Sequence, residues 1–140
     1  MNDDKSRVLL VDDDAGLLRL LSLRLTAAGY DVLAVESGEQ ALAQLAQYCP
    51  HLMITDLKMD GMDGMTLFDR VRSREPDLPV LILTAHGTIP DALAAASRGV
   101  FSYLTKPYNS KVLLAHMERA LKPGAEHALH TDTTWAPVQS

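Results

Sequence analysis

Polar residues with chemical capacity stand directly after short apolar runs in this sequence. Asp12 and Asp13 follow Val8 to Val11, Asp56 follows Leu52 to Thr55, Thr84 follows Val80 to Leu83, and Lys106 with Pro107 comes just after Phe101 to Leu104. Carboxylates, a hydroxyl and an ammonium form a set suited to phosphoryl chemistry. Crowded carboxylates raise one another's pKa and titrate together. A hard cation such as Mg2+ relieves that repulsion, because it takes oxygen ligands from a few carboxylates and waters. Beside such a cation Asp56 is a candidate nucleophile toward a phosphoryl donor. The acyl phosphate would carry about −1.5 to −2 charges, by analogy with other phosphorylated side chains. Lys106 can pair with one of its oxygens and the Thr84 hydroxyl can donate to another. Transfer of this kind is mostly positioning and charge neutralisation. Apart from His86 at its edge, the set holds neither Cys nor His, which argues against a soft metal. Taken singly, Asp14 reads as a helix cap, Thr84 as a turn residue and Lys106 as a surface charge. Their joint placement is what points to a site.

Such placement requires a particular scaffold. In an open parallel sheet, ligands bind beyond the carboxyl ends of the strands, where the strand order reverses. The chain reads as five repeats of strand then helix, with strands at 8–11, 30–35, 52–55, 80–83 and 101–104. Val8 to Val11 is wholly apolar, as expected of a strand covered on both faces. Between the strands lie helical stretches. Leu17, Leu18, Leu21, Leu25 and Ala28 share one face of the first, with Gly29 beyond its end. Ser37 and Gln40 form a capping box for the second, whose apolar face is Ala41, Leu42, Leu45 and Ala46. Leu67, Phe68 and Val71 are core candidates in the third. Thr88 begins the fourth, with Pro90 in its first turn and Gly99 at its end. Asn109 or Ser110 caps the fifth, lined by Leu113, Leu114, Met117 and Leu121. Alternation of this kind implies an α/β fold, a doubly wound parallel sheet with helices on both faces and right-handed crossovers.

Composition bounds the remaining choices. The chain has 140 residues, 47% of them apolar and 22% charged, with a net charge of −5. That is one domain's length with ample core. The acidic balance argues against direct nucleic-acid binding, which needs a basic face, and against an anionic membrane surface. No apolar run approaches the roughly 20 residues of a membrane span. The start, Met1 to Ser6, lacks the pattern of a signal peptide, and the lone Cys49 fits a reducing compartment, so a cytoplasmic location is expected. Cys49 reads as a structural thiol near a helix end. His51, His116, His127 and His130 show no metal-ligand spacing and are expected at the surface. Residues 5–121 form the expected domain. Residues 122–140, rich in Thr, Pro, Ala and His, read as a linker or disordered tail.

The segments Arg7-Val-Leu-Leu-Val-Asp-Asp13, Thr55-Asp-Leu-Lys-Met59 with Gly61-Met-Asp-Gly64, Leu83-Thr-Ala85 and Lys106-Pro107 resemble the response-regulator receiver domain of bacterial two-component signalling. The resemblance implies a flavodoxin-like (βα)5 domain with strand order 2-1-3-4-5. It also implies that Asp56 accepts a phosphoryl group from a sensor histidine kinase. Mg2+ would be held by Asp12, Asp13, Asp56 and the carbonyl of Lys58. Thr84, Ala85 and Lys106 would bind the phosphoryl oxygens. Thr84 and Tyr103 would form the switch, with Tyr103 turning inward on phosphorylation, and Lys58 and His86 would tune the lifetime of the acyl phosphate. A cis Lys106-Pro107 bond is implied as well. One position departs from the pattern: Asp60 stands where the family usually carries proline. Such a chain is a regulatory domain rather than an enzyme acting on a separate substrate.

Thr84-Ala-His-Gly-Thr-Ile-Pro-Asp-Ala92 and Gly99-Val-Phe-Ser-Tyr103 are similar to receivers of activators that work with the alternative sigma factor of nitrogen-type promoters. In those proteins an ATPase domain and a DNA-binding domain follow. No phosphate-cradling Gly-x-x-x-x-Gly-Lys motif occurs in this sequence. The expectation is therefore an excised domain or a stand-alone receiver, with an output domain or a homodimer as partner. An aspartate-nucleophile phosphohydrolase is the alternative from another class. Asp12 and Asp14 match its two-residue acid spacing.

Overall fold

The computed structural model describes residues 5–122. In chain order the elements are β1 (Arg7–Val11), α1 (Ala15–Ala27), β2 (Asp31–Val35), α2 (Gly38–Tyr48), β3 (Leu52–Thr55), α3 (Gly64–Arg74), β4 (Val80–Thr84), α4 (Ile89–Arg98), β5 (Ser102–Thr105) and α5 (Ser110–Ala120). The strands form one sheet in the order β2-β1-β3-β4-β5, and every neighbouring pair is parallel. The chain turns from β1 outward to β2, then crosses back to place β3 on the other side of β1. The order therefore reverses between β1 and β3, and a crevice opens beyond their carboxyl ends.

The two-residue period of a strand divides the core into two layers. Leu9 and Val11 of β1 face one layer, where Ala41 and Leu45 of α2, Leu67, Phe68 and Val71 of α3, and Ala92 and Ala95 of α4 are buried. Val8 and Leu10 face the other, against Leu18, Leu21 and Leu25 of α1 and Leu113, Met117 and Ala120 of α5. Both faces being covered, β1, β3 and β4 could be continuous apolar runs.

Side chains end the strands and start the helices as the residue types dictate. Asp14 caps α1 by accepting from the amides of Gly16 and Leu17. Ser37, Asp63, Thr88 and Asn109 cap α2, α3, α4 and α5 in the same way. Ser37 accepts from the Gln40 amide, but in the reciprocal bond Gln40 Oε1 accepts from the amide of Glu36, one residue before the cap. Gly29, with φ of 103°, turns the chain out of α1.

Two expectations are corrected, the apolar placement of Ala28 and Ala46 and the surface placement of His116. Ala28 and Ala46 are exposed: Ala28 is the C-cap beyond the end of α1, and Ala46 lies about 100° around α2 from the buried Leu45 and so faces outward. His116 lies in the core at 6% exposure. Its Nδ1 is 2.8 Å from Ser102 Oγ, so a polar pair on β5 and α5 satisfies itself inside the apolar layer. Cys49 is exposed and closes α2 in a left-handed conformation, φ 52°. His127, His130 and the rest of the expected tail from residue 123 onward lie outside the described residues.

Candidate functional site

The parallel ladder continues one rung past the strands and carries the acidic and basic residues on it. The Asp12 amide donates to Val35 O, the Asp56 amide to Val11 O, and the Lys106 amide to Thr84 O. The register sets Val11 opposite Thr55 and Thr84 opposite Thr105. Asp12 and Asp56 therefore emerge side by side at the switch point, and Lys106 comes in from the far side of β4.

Their side chains converge. One ligand oxygen from each of Asp12, Asp13 and Asp56 lies within 4.8 Å of the others. Lys106 Nζ donates to Asp12 Oδ2 at 2.8 Å and reaches Asp56 Oδ2 at 3.5 Å. Asp12 Oδ1 accepts from the Asp14 amide at 2.9 Å, and Asp56 Oδ1 from the Leu57 amide at 2.6 Å. Asp13 Oδ2 accepts from the Asp60 amide at 3.1 Å. Asp12 and Asp56 are 4% and 6% exposed, whereas Asp13 is at the surface.

Burial pushes the Asp12 carboxyl above its usual range, against the opposing pull of Lys106 and the Asp14 amide, with repulsion from Asp56 adding to the rise. Burial works to lower the Lys106 pKa. Its hydrogen bond and attraction to Asp12, with a further contribution from Asp56, outweigh that, and the net direction is up. The ammonium is thus firmly charged, and the strain of the pocket falls on the carboxylate. Three carboxylates with only oxygen donors fit a hard divalent cation and do not fit a thiophilic one.

The family described as response regulator receiver domain matches residues 8–118. This chain belongs to the response-regulator receiver family. The receiver is 49% identical over 135 residues to the transcriptional regulatory protein GlrR of Escherichia coli (strain K12), covering 96% of this chain and 30% of that protein. It is 39% identical over 114 residues to the DNA-binding transcriptional regulator NtrC of Salmonella typhimurium, covering 81% and 24%. The receiver therefore spans less than a third of the length of these relatives. Among solved structures it resembles a response regulator receiver domain protein from Clostridium thermocellum, with a TM-score of 0.79, 30% identity and coverage of 83% of this chain and 94% of that one. It also resembles NtrX from Brucella abortus in complex with ATP, with a TM-score of 0.78, 30% identity and coverage of 83% and 27%.

The other expected site residues of the receiver have definite places. Thr84 is fully buried at the end of β4, and its Oγ1 accepts from the His86 amide at 3.1 Å. The hydroxyl proton of Thr84 is thereby left for another acceptor. Ala85, His86 and Lys58 are exposed on the loops after β4 and β3. The Lys106-Pro107 bond is cis, as expected. Tyr103 was expected to turn inward on phosphorylation, yet here it is already inward at 4% exposure. The absence of a side chain at Gly87 makes room for it: a Cβ there would lie 2.8 Å from the ring. Asp14 uses its carboxylate on the amides of Gly16 and Leu17, so the acid that a phosphohydrolase would need two residues after Asp12 serves as a cap.

Three contributors were not read from the sequence as parts of the site. The Leu57 and Asp60 amides are backbone donors, which no residue type announces. Gly64 was read only as punctuation. A Cβ there would lie 2.2 Å from the Asp56 carbonyl oxygen, so glycine is what lets α3 begin directly beneath the pocket.

Proposed function

We propose that residues 5–121 are the phosphoacceptor receiver of a two-component response regulator, and that Asp56 takes the phosphoryl group from a sensor histidine kinase. The observation that supports it best is the reach of one ammonium, Lys106, to two buried carboxylates that belong to different strands. In the proposed step an Asp56 carboxylate oxygen attacks phosphorus, the bond from phosphorus to the donor imidazole breaks, and that nitrogen leaves with its electron pair. Asp12, Asp13, Asp56 and the Lys58 carbonyl would hold Mg2+, which would neutralise charge on the transferring group. Lys106 leaves its carboxylate partners to pair with one phosphoryl oxygen. The Thr84 hydroxyl donates to a second and the Ala85 amide to a third.

The readout follows from the same geometry. Drawing Thr84 toward the phosphoryl group pulls on the loop that carries His86 and Gly87, and Gly87 abuts the Tyr103 ring. The face made by α4, β5 and α5 is therefore the one that changes, as a shift between two packings. α4 is the element freest to respond, since its buried side chains are the small Ala92 and Ala95. Lys58 and His86, flanking the pocket, set the lifetime of the acyl phosphate. In the full-length protein the output is transcription activation through ATPase and DNA-binding domains, in the cytoplasm, with a homodimer as the alternative partner. A receiver acting alone would present the same face.

Incubation with a small phosphodonor and Mg2+, read on a phosphate-affinity gel, tests the assignment. The parent is expected to shift and Asp56→Asn to stay unshifted. A shifted band in Asp56→Asn would refute it.

A further inference from the structure

Asp60 stands where the family pattern has proline, and its backbone uses the difference. Its N–H donates to Asp13 Oδ2 at 3.1 Å. Proline carries no N–H, so this hydrogen bond exists only because the family's usual residue is missing. We propose that the Asp60 amide is a positioning group that holds the Asp13 carboxylate over the acidic pocket and so strengthens divalent-cation binding. The inference rests on reading Asp12, Asp13 and Asp56 as the cation site, and names a further contributor to it.

Asp13 is the member of the trio that most needs such a restraint. Asp12 is fixed at both oxygens, by the Asp14 amide and by Lys106. Asp56 is fixed by the Leu57 amide and by burial. Asp13 is exposed, and an exposed side chain samples several rotamers unless something holds it. The amide that holds it comes from a loop anchored on both sides. Before it, Leu57 is buried just beyond the end of β3. After it, Gly61 turns with φ of 77°, Met62 packs against Gly38, and Asp63 caps α3. A donor on a fixed frame can orient a carboxylate; a donor on a loose one would follow it. A carboxylate has about four lone-pair directions, so one amide leaves the others for a cation. Donors behind a metal ligand raise affinity by this kind of orientation. The role belongs to the amide and not to the Asp60 side chain, which is exposed.

Calorimetric titration of the full chain with MgCl2 separates the two parts of Asp60. Asp60→Ala keeps the amide, and its Kd is expected to stay close to the parent's. Asp60→Pro removes the amide, and its Kd is expected to rise about tenfold, the low end of the effect seen when a donor behind a metal ligand is lost. If the parent binds Mg2+ and the Ala and Pro variants bind alike, the role of the amide is refuted while the cation site stands. If the parent binds no Mg2+, both fail together. Should Asp60→Pro lose its native circular dichroism, amide hydrogen exchange decides the matter. The Asp60 amide is expected to exchange several-fold faster in Asp13→Ala than in the parent, and equal rates would overturn the proposal.

Discussion

Lys106 Nζ lies 2.8 Å from Asp12 Oδ2, a contact between residues 94 positions apart. It is also 3.5 Å from Asp56 Oδ2. The ammonium therefore holds together a pocket whose carboxylates would otherwise repel. Lys106→Met is expected to lower stability by about 2 kcal/mol, less than a fully buried pair would lose, since water still reaches the ammonium. Urea denaturation at neutral pH measures it. Because the Lys106 pKa is raised, the stabilisation is fully present below the ordinary 10.5 and is lost as pH rises beyond it.

Asp12 gives the opposite sign. Burial raises its pKa above 3.8, Lys106 notwithstanding. The charged form is thus disfavoured by folding: the penalty is present above the raised pKa and is gone below 3.8. Asp12→Asn is expected to be more stable than the parent at pH 7 by about 1 kcal/mol, a common size for relieving strain at a functional site. The gap should narrow as pH falls toward 3.8. An advantage that instead grows in acid would contradict the assignment of strain to this carboxylate.

Metal removal has a stability signature. Mg2+ at ten times its Kd is expected to stabilise the native chain by about 1.4 kcal/mol. Thermal melts with and without EDTA check this. Asp13→Ala and Asp12→Asn should show little of the shift.

Two glycines should respond very differently to alanine. At Gly64 a Cβ meets the Asp56 carbonyl oxygen at 2.2 Å and Leu57 Cα at 2.9 Å. Backbone cannot step aside, and Gly64→Ala is expected to cost about 3 kcal/mol. At Gly16 the nearest atom is Asp14 Oδ1 at 3.5 Å, an ordinary contact within a helix. Gly16→Ala is expected to stabilise by about 0.5 kcal/mol. Chemical denaturation midpoints distinguish them.

Gly87→Ala probes the proposed switch. Its Cβ would lie 2.8 Å from Tyr103 Cε1 and Oη, and the ring, being a side chain, can move away. The expected outcome is a displaced Tyr103 ring, seen as shifted aromatic resonances, with a stability loss of about 1 kcal/mol. Unshifted resonances would mean that Gly87 does not set the ring's position.

The sequence was enough for the architecture and for most of the candidate site. Short continuous apolar runs such as Val80 to Leu83, set between turn residues and alternating with helical stretches, read as strands covered on both faces, and the residue that ends such a strand is carried to the sheet edge by the ladder itself. Asp12, Asp56, Thr84 and Lys106 were legible for that reason. Helix starts were legible because Asp14, Ser37, Thr88 and Asn109 are residue types that accept from free amides. What remained hidden depended on atoms without a residue signature or on three-dimensional proximity. The Leu57 and Asp60 amides look like any other amide until the loop is folded over Asp56 and Asp13. His116 was placed at the surface because its partner, Ser102, lies on another element and only packing brings the two within 2.8 Å. Tyr103 sits inward because Gly87 leaves it space, a relation of volumes between a strand, β5, and the loop after β4. Local sequence sets which groups can bond and along which direction, whereas only the packed chain decides which of them meet.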